Sequence, residues 1–218
     1  MVPPRLQSPF TYLITPGTLT DNSFEESSGA LLEQIERAAS IGVSAIQIRE
    51  KSLSAGRLLE LAKRAVDLLA PSRTAVFVNE RVDIAISSGA AGVHLTSTGM
   101  PVSVVRDITP ETFLIGVSTH TLEEVGIADR SGADLILFGP VFETPGKKTM
   151  PVDQALKALE LAADIAENSL LVGIGGIDGS NFREVLETGA DGFAAIRMFL
   201  DQETTESVID TIRKTRTG

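Results

Sequence analysis

Glycine recurs in this chain at one kind of position, the join between an amphipathic stretch and a short apolar run. Gly42 precedes Ala45-Ile46-Gln47-Ile48, Gly89 precedes Val93-His94-Leu95, Gly132 precedes Leu135-Ile136-Leu137-Phe138, and Gly189 precedes Phe193-Ala194-Ala195-Ile196. A glycine just past a helix end takes the left-handed cap that other residues resist, and a run apolar at nearly every position suits a strand covered on both faces. The pattern therefore predicts a repeating strand–helix unit and a parallel sheet. It also directs attention to what the carboxyl ends of those strands carry.

Strands are expected over residues 11–15, 45–50, 75–79, 92–96, 113–119, 135–142, 170–175 and 192–197. Amphipathic helices are expected over 24–39, 55–70, 82–88, 101–108, 122–130, 152–165, 181–188 and 203–213. In the second of these, Leu58, Leu59, Leu61, Ala62, Ala65, Val66 and Leu69 recur on one helix face. Pro101 is expected in the first helical turn, where its missing N–H has no partner to lose. Eight such units predict a closed (β/α)8 TIM barrel, with an open doubly wound sheet as the alternative. A chain of 218 residues with 43% hydrophobic residues can bury one large core, and no Pro/Ser/Gly-rich linker divides it, so one domain spanning 1–218 is expected.

Composition excludes several functions. The formal net charge is −10 with no basic stripe, which argues against a nucleic-acid partner. The first residues, Met1-Val2-Pro3-Pro4-Arg5-Leu6, lack the charged start and apolar core of a secretory signal, and no apolar run is long enough to cross a bilayer. The expectation is a cytoplasmic protein with no membrane partner. The absence of cysteine excludes thiol nucleophiles and thiolate metal sites, and two histidines, His94 and His120, cannot build a three-histidine zinc site. Any metal would be a hard cation held by oxygen.

Polar residues gather where the strands are expected to end. Gln47, Arg49 and Lys51 alternate, so Gln47 and Arg49 share a face and Lys51 continues their line. An unpaired guanidinium is costly to bury, so Arg49 needs an anionic partner, either an internal acid such as Glu80 or a bound phosphate or carboxylate. Asn79-Glu80 closes the third strand and His94-Leu95-Thr96 the fourth. Gly116, Ser118 and His120 lie on one alternating face of the fifth. His94 suits a structural hydrogen-bonded role, whereas His120 sits beside two hydroxyls at a strand end, where acid–base chemistry is at home. The loop after the sixth strand holds Thr144, Lys147 and Lys148 and reads as a lid or a solvated turn. Gly175-Gly176 and Ala195-Ile196 end the seventh and eighth strands, the usual phosphate-binding place in this fold.

Taken as an ordered series, six segments resemble the thiamine phosphate synthase/TenI superfamily. They are Tyr12-Leu13-Ile14-Thr15, Gln47-Ile48-Arg49-Glu50-Lys51, Asn79-Glu80-Arg81-Val82-Asp83, Gly92-Val93-His94-Leu95, Gly116-Val117-Ser118-Thr119-His120 and Gly173-Ile174-Gly175-Gly176-Ile177. The resemblance implies a (β/α)8 barrel that takes phosphorylated small molecules. Synthases join a pyrimidine diphosphate to a thiazole phosphate with magnesium, and the characterised TenI enzyme is a metal-independent thiazole tautomerase. It further implies that Gln47, Arg49, Lys51 and Asn79 bind the pyrimidine and diphosphate side, that Thr144 and Lys147 close over the diphosphate, and that Gly175, Gly176, Ala195 and Ile196 cradle the thiazole phosphate. His120, Lys51 and Ser118 are the implied catalytic residues. The partners implied are a phosphorylated thiazole and a pyrimidine diphosphate, and assembly into a homo-oligomer is compatible with them.

This chain departs from the synthase pattern where magnesium would bind. Glu80 replaces an aspartate, and Gly99 stands where a second aspartate is expected. Gly146 replaces a threonine of the closing loop, and Arg197 follows the last strand where a small or hydroxylic residue is usual. By contrast, Leu137-Phe138-Gly139-Pro140-Val141-Phe142-Glu143-Thr144 and Lys147-Lys148 resemble the TenI version. The expectation is therefore a TenI-like tautomerase with no cofactor. The alternatives are a divergent synthase using magnesium through Glu80 and a non-catalytic phosphate-binding barrel.

Overall fold

The computed structural model describes residue 6, residues 8–144 and residues 150–216. Eight strands, β1 (Phe10–Ile14), β2 (Ala45–Ile48), β3 (Ala75–Asn79), β4 (Gly92–Leu95), β5 (Leu114–Thr119), β6 (Leu135–Phe138), β7 (Leu170–Ile174) and β8 (Gly192–Ala195), pair in sequence order into a closed barrel. All pairs are parallel, and β8 returns to β1 from Phe10↔Gly192 to Leu13↔Ala195. Between and after them run α1 (Phe24–Ile41), α2 (Ala55–Leu69), α3 (Val82–Ser88), α4 (Val102–Ile108), α5 (Leu122–Arg130), α6 (Val152–Ile165), α7 (Phe182–Glu187) and α8 (Gln202–Arg216). The fold is the (β/α)8 barrel expected from the sequence.

The glycine joints behave as their position requires. Gly42 and Gly89 cap α1 and α3 at φ of 107° and 73°, each N–H bonding back to the last helical carbonyls. Gly132 and Gly189 hold positive φ one residue past the caps of α5 and α7. Each joint turns the chain directly into the next strand.

Burial divides the apolar residues into two shells. Leu58, Leu61, Ala62, Ala65 and Leu69 of α2 are buried against the outer face of the barrel, with Leu59 and Val66 at the edge of that stripe. A smaller cluster that includes Phe10, Tyr12, Ile14, Phe77, Leu135, Leu137 and Val172 fills the barrel interior. Large interior side chains face small ones: Ala45, Ala75 and Ala194 belong to the same cluster. Among the described residues, no helix is long and apolar enough to cross a membrane.

Three strands end two or more residues sooner than expected, and each difference has a local cause. β2 stops at Ile48 because the Arg49 N–H turns to the Thr15 hydroxyl (2.8 Å). β6 stops at Phe138 because Pro140 has no N–H for the ladder; pairing resumes where Val141 and Phe142 donate to the carbonyls of Ile174 and Gly175, both at 2.9 Å. After β8, the chain tightens into a 3-10 turn, Met198–Leu200, that buries Met198 and Phe199. Pro101 stands one position before the helix it was expected to open. Its ψ of 141° is extended, and its carbonyl accepts the Val105 N–H at 3.2 Å, so it caps α4.

Candidate active site

At the carboxyl end of β3, Glu80 adopts φ 58°, the only positive value at a non-glycine position among the described residues. That left-handed turn is unfavourable for a side chain of this size and persists only where surrounding contacts hold it. Here the carboxylate accepts from the Thr96 hydroxyl at 2.7 Å and from the Asn79 amide at 3.2 Å, and Lys51 Nζ lies at 3.5 Å. The Thr96 hydrogen bond foremost, with the Lys51 charge and the Asn79 amide adding to it, holds the Glu80 carboxyl below the usual glutamate range against the opposing effect of burial. Three strand ends, β2, β3 and β4, are thus tied together by one carboxylate.

Lys51, rather than Arg49, is therefore the cation that meets Glu80. Among the described residues, Arg49 meets no carboxylate within ion-pair distance, and its guanidinium lies half-buried over Gly17. Its neighbour Glu50 points the other way. Buried at 1% exposure, Glu50 accepts the N–H groups of Gly17 (3.0 Å) and Leu19 (2.8 Å), which fixes the loop after β1. Gln47 forms the floor of the mouth, where its amide donates to the Tyr12 hydroxyl at 3.3 Å inside the barrel. A charge-assisted hydrogen-bond donor left at a barrel mouth is suited to an anionic ligand.

Next to β4, β5 delivers Ser118 and, just past its end, His120. Thr121 begins α5 with a capping box: its hydroxyl accepts from Glu124 N, while the Glu124 carboxylate reaches back to the N–H groups of Thr121 and, at 2.5 Å, of His120. That box sets the backbone of His120. The ring is set by the next strand, because His120 Nδ1 lies 2.6 Å from the Gly139 carbonyl. A carbonyl only accepts, so Nδ1 carries the proton and Nε2 is the basic nitrogen on the exposed side of the ring. Ser118 contacts His94 Nε2 at 3.0 Å, and His94 is buried in the interior as a hydrogen-bonded residue.

Loops six and seven are stitched together beside His120. A Cβ at Gly176 would come within 2.5 Å of the Glu143 carbonyl and one at Gly175 within 2.7 Å of Pro140, at φ of 62° and 107° respectively. Only glycine fits both the space and the backbone. Asn181 donates to the Gly176 carbonyl at 3.0 Å. Asp178, held below the ordinary aspartate range chiefly by Ser180 with a smaller effect of the Arg197 charge, places Arg197 by the same rim. Ala195 is buried toward the helices and Ile196 is half-buried. Thr144 turns its hydroxyl to the Phe142 carbonyl at 3.1 Å, and Lys147 lies outside the described residues.

For a divalent cation, the mouth offers one side-chain carboxylate among the described residues. Magnesium is usually held by one or two carboxylates together with water and substrate phosphate oxygens. Glu80 is a single carboxylate already engaged by three donors, Gly99 offers no side-chain oxygen, and among the described residues no group of three His, Asp or Glu could hold a metal. Two features of the mouth had a signal that went unread in the sequence. Thr96 is two residues past His94 on the same alternating face, and Thr121-Leu122-Glu123-Glu124 has the spacing of a capping box.

Comparison with known proteins agrees with this geometry. The thiamine monophosphate synthase family profile matches residues 11–199. A thiamine-phosphate synthase of Albidiferax ferrireducens is 36% identical over 88% of this chain and 84% of its own length, and a putative thiamine-phosphate synthase of Geobacter sulfurreducens is 42% identical over 76% and 78%. Among solved structures, a thiamine phosphate pyrophosphorylase from Pyrococcus furiosus superimposes with a TM-score of 0.76 at 31% identity, covering 94% of this chain and 96% of that one. With the barrel and the matched span in agreement, the chain belongs to the thiamine monophosphate synthase family of enzymes.

Proposed function

We propose that this enzyme acts on a phosphorylated thiazole and moves a proton on it without a divalent cation, as a thiazole tautomerase. The observation that carries this reading is the Glu80 unit, in which Lys51, Thr96 and Asn79 take up the carboxylate that a magnesium-dependent relative would offer to its metal. A tautomerisation needs only a group that removes a proton at one atom and returns it at another. His120 has the required form, with Nδ1–H anchored on Gly139 and Nε2 available as the base, then as the acid once protonated.

The remaining assignments follow from chemistry. Arg49 and Lys51 supply positive charge for the substrate's anionic groups, Asn79 and Gln47 supply amide hydrogen bonds, and Ser118 faces His120 across the end of β5. The backbone of Gly175, Gly176, Ala195 and Ile196 receives the thiazole phosphate, and Thr144 and Lys147 are the residues that would meet a diphosphate in a synthase. Arg197 adds charge at the rim.

A second reading, a divergent synthase, is favoured by the names of the relatives, which are synthases or pyrophosphorylases. In that reaction a carbon–oxygen bond to diphosphate breaks as a carbon–nitrogen bond to the thiazole forms, and the departing charge has to be neutralised. Product analysis separates the two. The protein is supplied with carboxythiazole phosphate alone, and separately with pyrimidine diphosphate plus thiazole phosphate, each with magnesium and with chelator. Chelator-resistant isomerisation is expected. Magnesium-dependent formation of thiamine phosphate would replace this reading with the synthase, and thiazole-phosphate binding without turnover would leave a binding protein.

A further inference from the structure

His94 Nδ1 is the one buried side-chain polar atom, among the described residues, without a hydrogen-bond partner. The ring projects from β4 into the barrel, 2% exposed, with its centroid 5.7 Å from that of Tyr12 and its Nε2 3.0 Å from Ser118 Oγ. Nδ1 faces Gly116, where a Cβ would come within 2.5 Å of it, so the glycine Cα–H that a Cβ would replace points at this nitrogen. Burial pushes the ring down to about 3, so at neutral pH it is uncharged and carries a single N–H.

Two tautomers are available to such a ring. With the proton on Nδ1, a buried N–H would point at a Cα–H and have no acceptor, the rarest and most costly kind of unsatisfied group. With the proton on Nε2, the N–H donates to Ser118, and Nδ1 is a bare lone pair against the weakly positive Cα–H of Gly116. The second arrangement satisfies the only donor. Ser118 then accepts from His94, and its own proton is free to point elsewhere.

We propose that His94 is a positioning residue: by donating Nε2–H to Ser118 Oγ it commits the Ser118 hydroxyl proton to the mouth, where Ser118 is a hydrogen-bond donor to the bound substrate. The substrate atom that receives this proton is accordingly an acceptor, such as a carboxylate oxygen or a ring nitrogen. Naming a thiazole phosphate as that substrate rests on the proposed function. The tautomer of His94 does not.

The tautomer is read directly by nitrogen NMR of the intact protein labelled with 15N-histidine, and with two histidines in the chain the His120→Asn spectrum assigns both. Protonated Nε2 and bare Nδ1 in His94 are expected; a protonated Nδ1 overturns the proposal. Kinetics on carboxythiazole phosphate supply the second test. Ser118→Ala and His94→Phe should each lower kcat about tenfold, the size of one oriented hydrogen bond, and the double variant should be no slower than either. His94→Gln, whose amide can donate to Ser118, should restore the rate to within about threefold of the parent. If His94→Phe lowers the rate equally with and without the Ser118 hydroxyl, the ring only fills space and the proposal is wrong. Where His94→Phe does not fold, the parent spectrum and His94→Gln decide. If no thiazole phosphate is turned over, the same series is read as affinity for it by calorimetry, so that failure of the proposed reaction and failure of the His94 role give different results.

Discussion

Replacing His94 by glutamine should remove a defined part of the acid sensitivity of this barrel. The folded ring is pushed down from 6.5 to about 3 by burial, with the distant Glu80 charge opposing only slightly. Between those values the unfolded chain binds a proton at this site and the folded chain does not, so stability falls as pH falls. Each pH unit is worth about 1.4 kcal/mol once the unfolded histidine is fully protonated. Integrated from about pH 7.5 to about pH 4.5, the loss is about 2.5 kcal/mol, or roughly 5 to 10 °C in Tm for a domain of this size. The carboxylates whose acidity is enhanced on folding, Glu80, Asp83, Asp129, Asp178 and Asp201, enter only at the lower edge of this window. Their contribution is present above their unfolded pKa and is lost as pH falls from there, and it is common to both proteins and cancels in their comparison. Urea titrations across this range in a His120→Asn background, which removes the other histidine, give the measurement. The His94 protein should show the slope and the His94→Gln protein should lack it. Equal slopes in both would mean that the ring is protonated in the folded state, contrary to its burial and to the tautomer argument built on it.

Three further outcomes are expected. His120→Asn keeps a donor to the Gly139 carbonyl but removes the second ring nitrogen, so turnover should fall by about two to four orders of magnitude while Tm is unchanged; a loss smaller than about tenfold would remove His120 as the acid–base group. Arg49→Met should weaken binding of thiazole phosphate, measured by calorimetry, by about 10- to 100-fold without loss of stability, because Arg49 forms no ion pair among the described residues. Gly116→Ala places a methyl within 2.5 Å of His94 Nδ1, and the displaced ring should lower stability by about 1 to 3 kcal/mol in denaturant titrations.

The fold was legible because its signals are local and repeated. Glycine caps, a one-face apolar stripe such as that of α2 and strands apolar at every position all report on neighbours within a few residues, and eight copies leave few architectures. Strand ends were less legible. A sequence shows that residues 49 and 50 are polar, but the choice of Thr15 as partner for the Arg49 N–H and the turn of Glu50 toward Gly17 and Leu19 are made by a neighbouring strand more than thirty positions away. Where the polar residues lie was more legible than how they pair. Arg49, Lys51, Glu80 and His120 all end strands at one mouth, yet the partner of Glu80 is Lys51, and the atom that orients His120 is a backbone carbonyl that no side-chain pattern records.

The metal question turns on one glycine, and the structure allows it to be posed in reverse. Gly99 has no left-handed backbone requirement, and a Cβ there would stand 3.1 Å from Thr96 Oγ1, the hydroxyl that donates to Glu80. A side chain at 99 therefore fits with a shift of a few tenths of an ångström and lies one residue from the carboxylate already present. Gly99→Asp would bring a second carboxylate beside Glu80, with the Asn79 amide oxygen and water to complete a hard-cation shell. Without a cation the two carboxylates repel and only Lys51 offsets them, so the variant should be less stable than the parent in chelator. With magnesium it should recover: a ligand present at about 100 times its dissociation constant adds about 2.7 kcal/mol, some 6 to 10 °C in Tm for this chain length. The parent, whose Glu80 is taken up by Thr96, Asn79 and Lys51, should show no saturable response to magnesium in the same titration. A saturable shift in the parent would mean that magnesium displaces Lys51 from Glu80, and the ammonium would then be a placeholder for the metal instead of its replacement. No response in either protein would mean that positions 80 and 99 do not converge on one ion, and Gly99 would no longer support the proposed metal-free reaction.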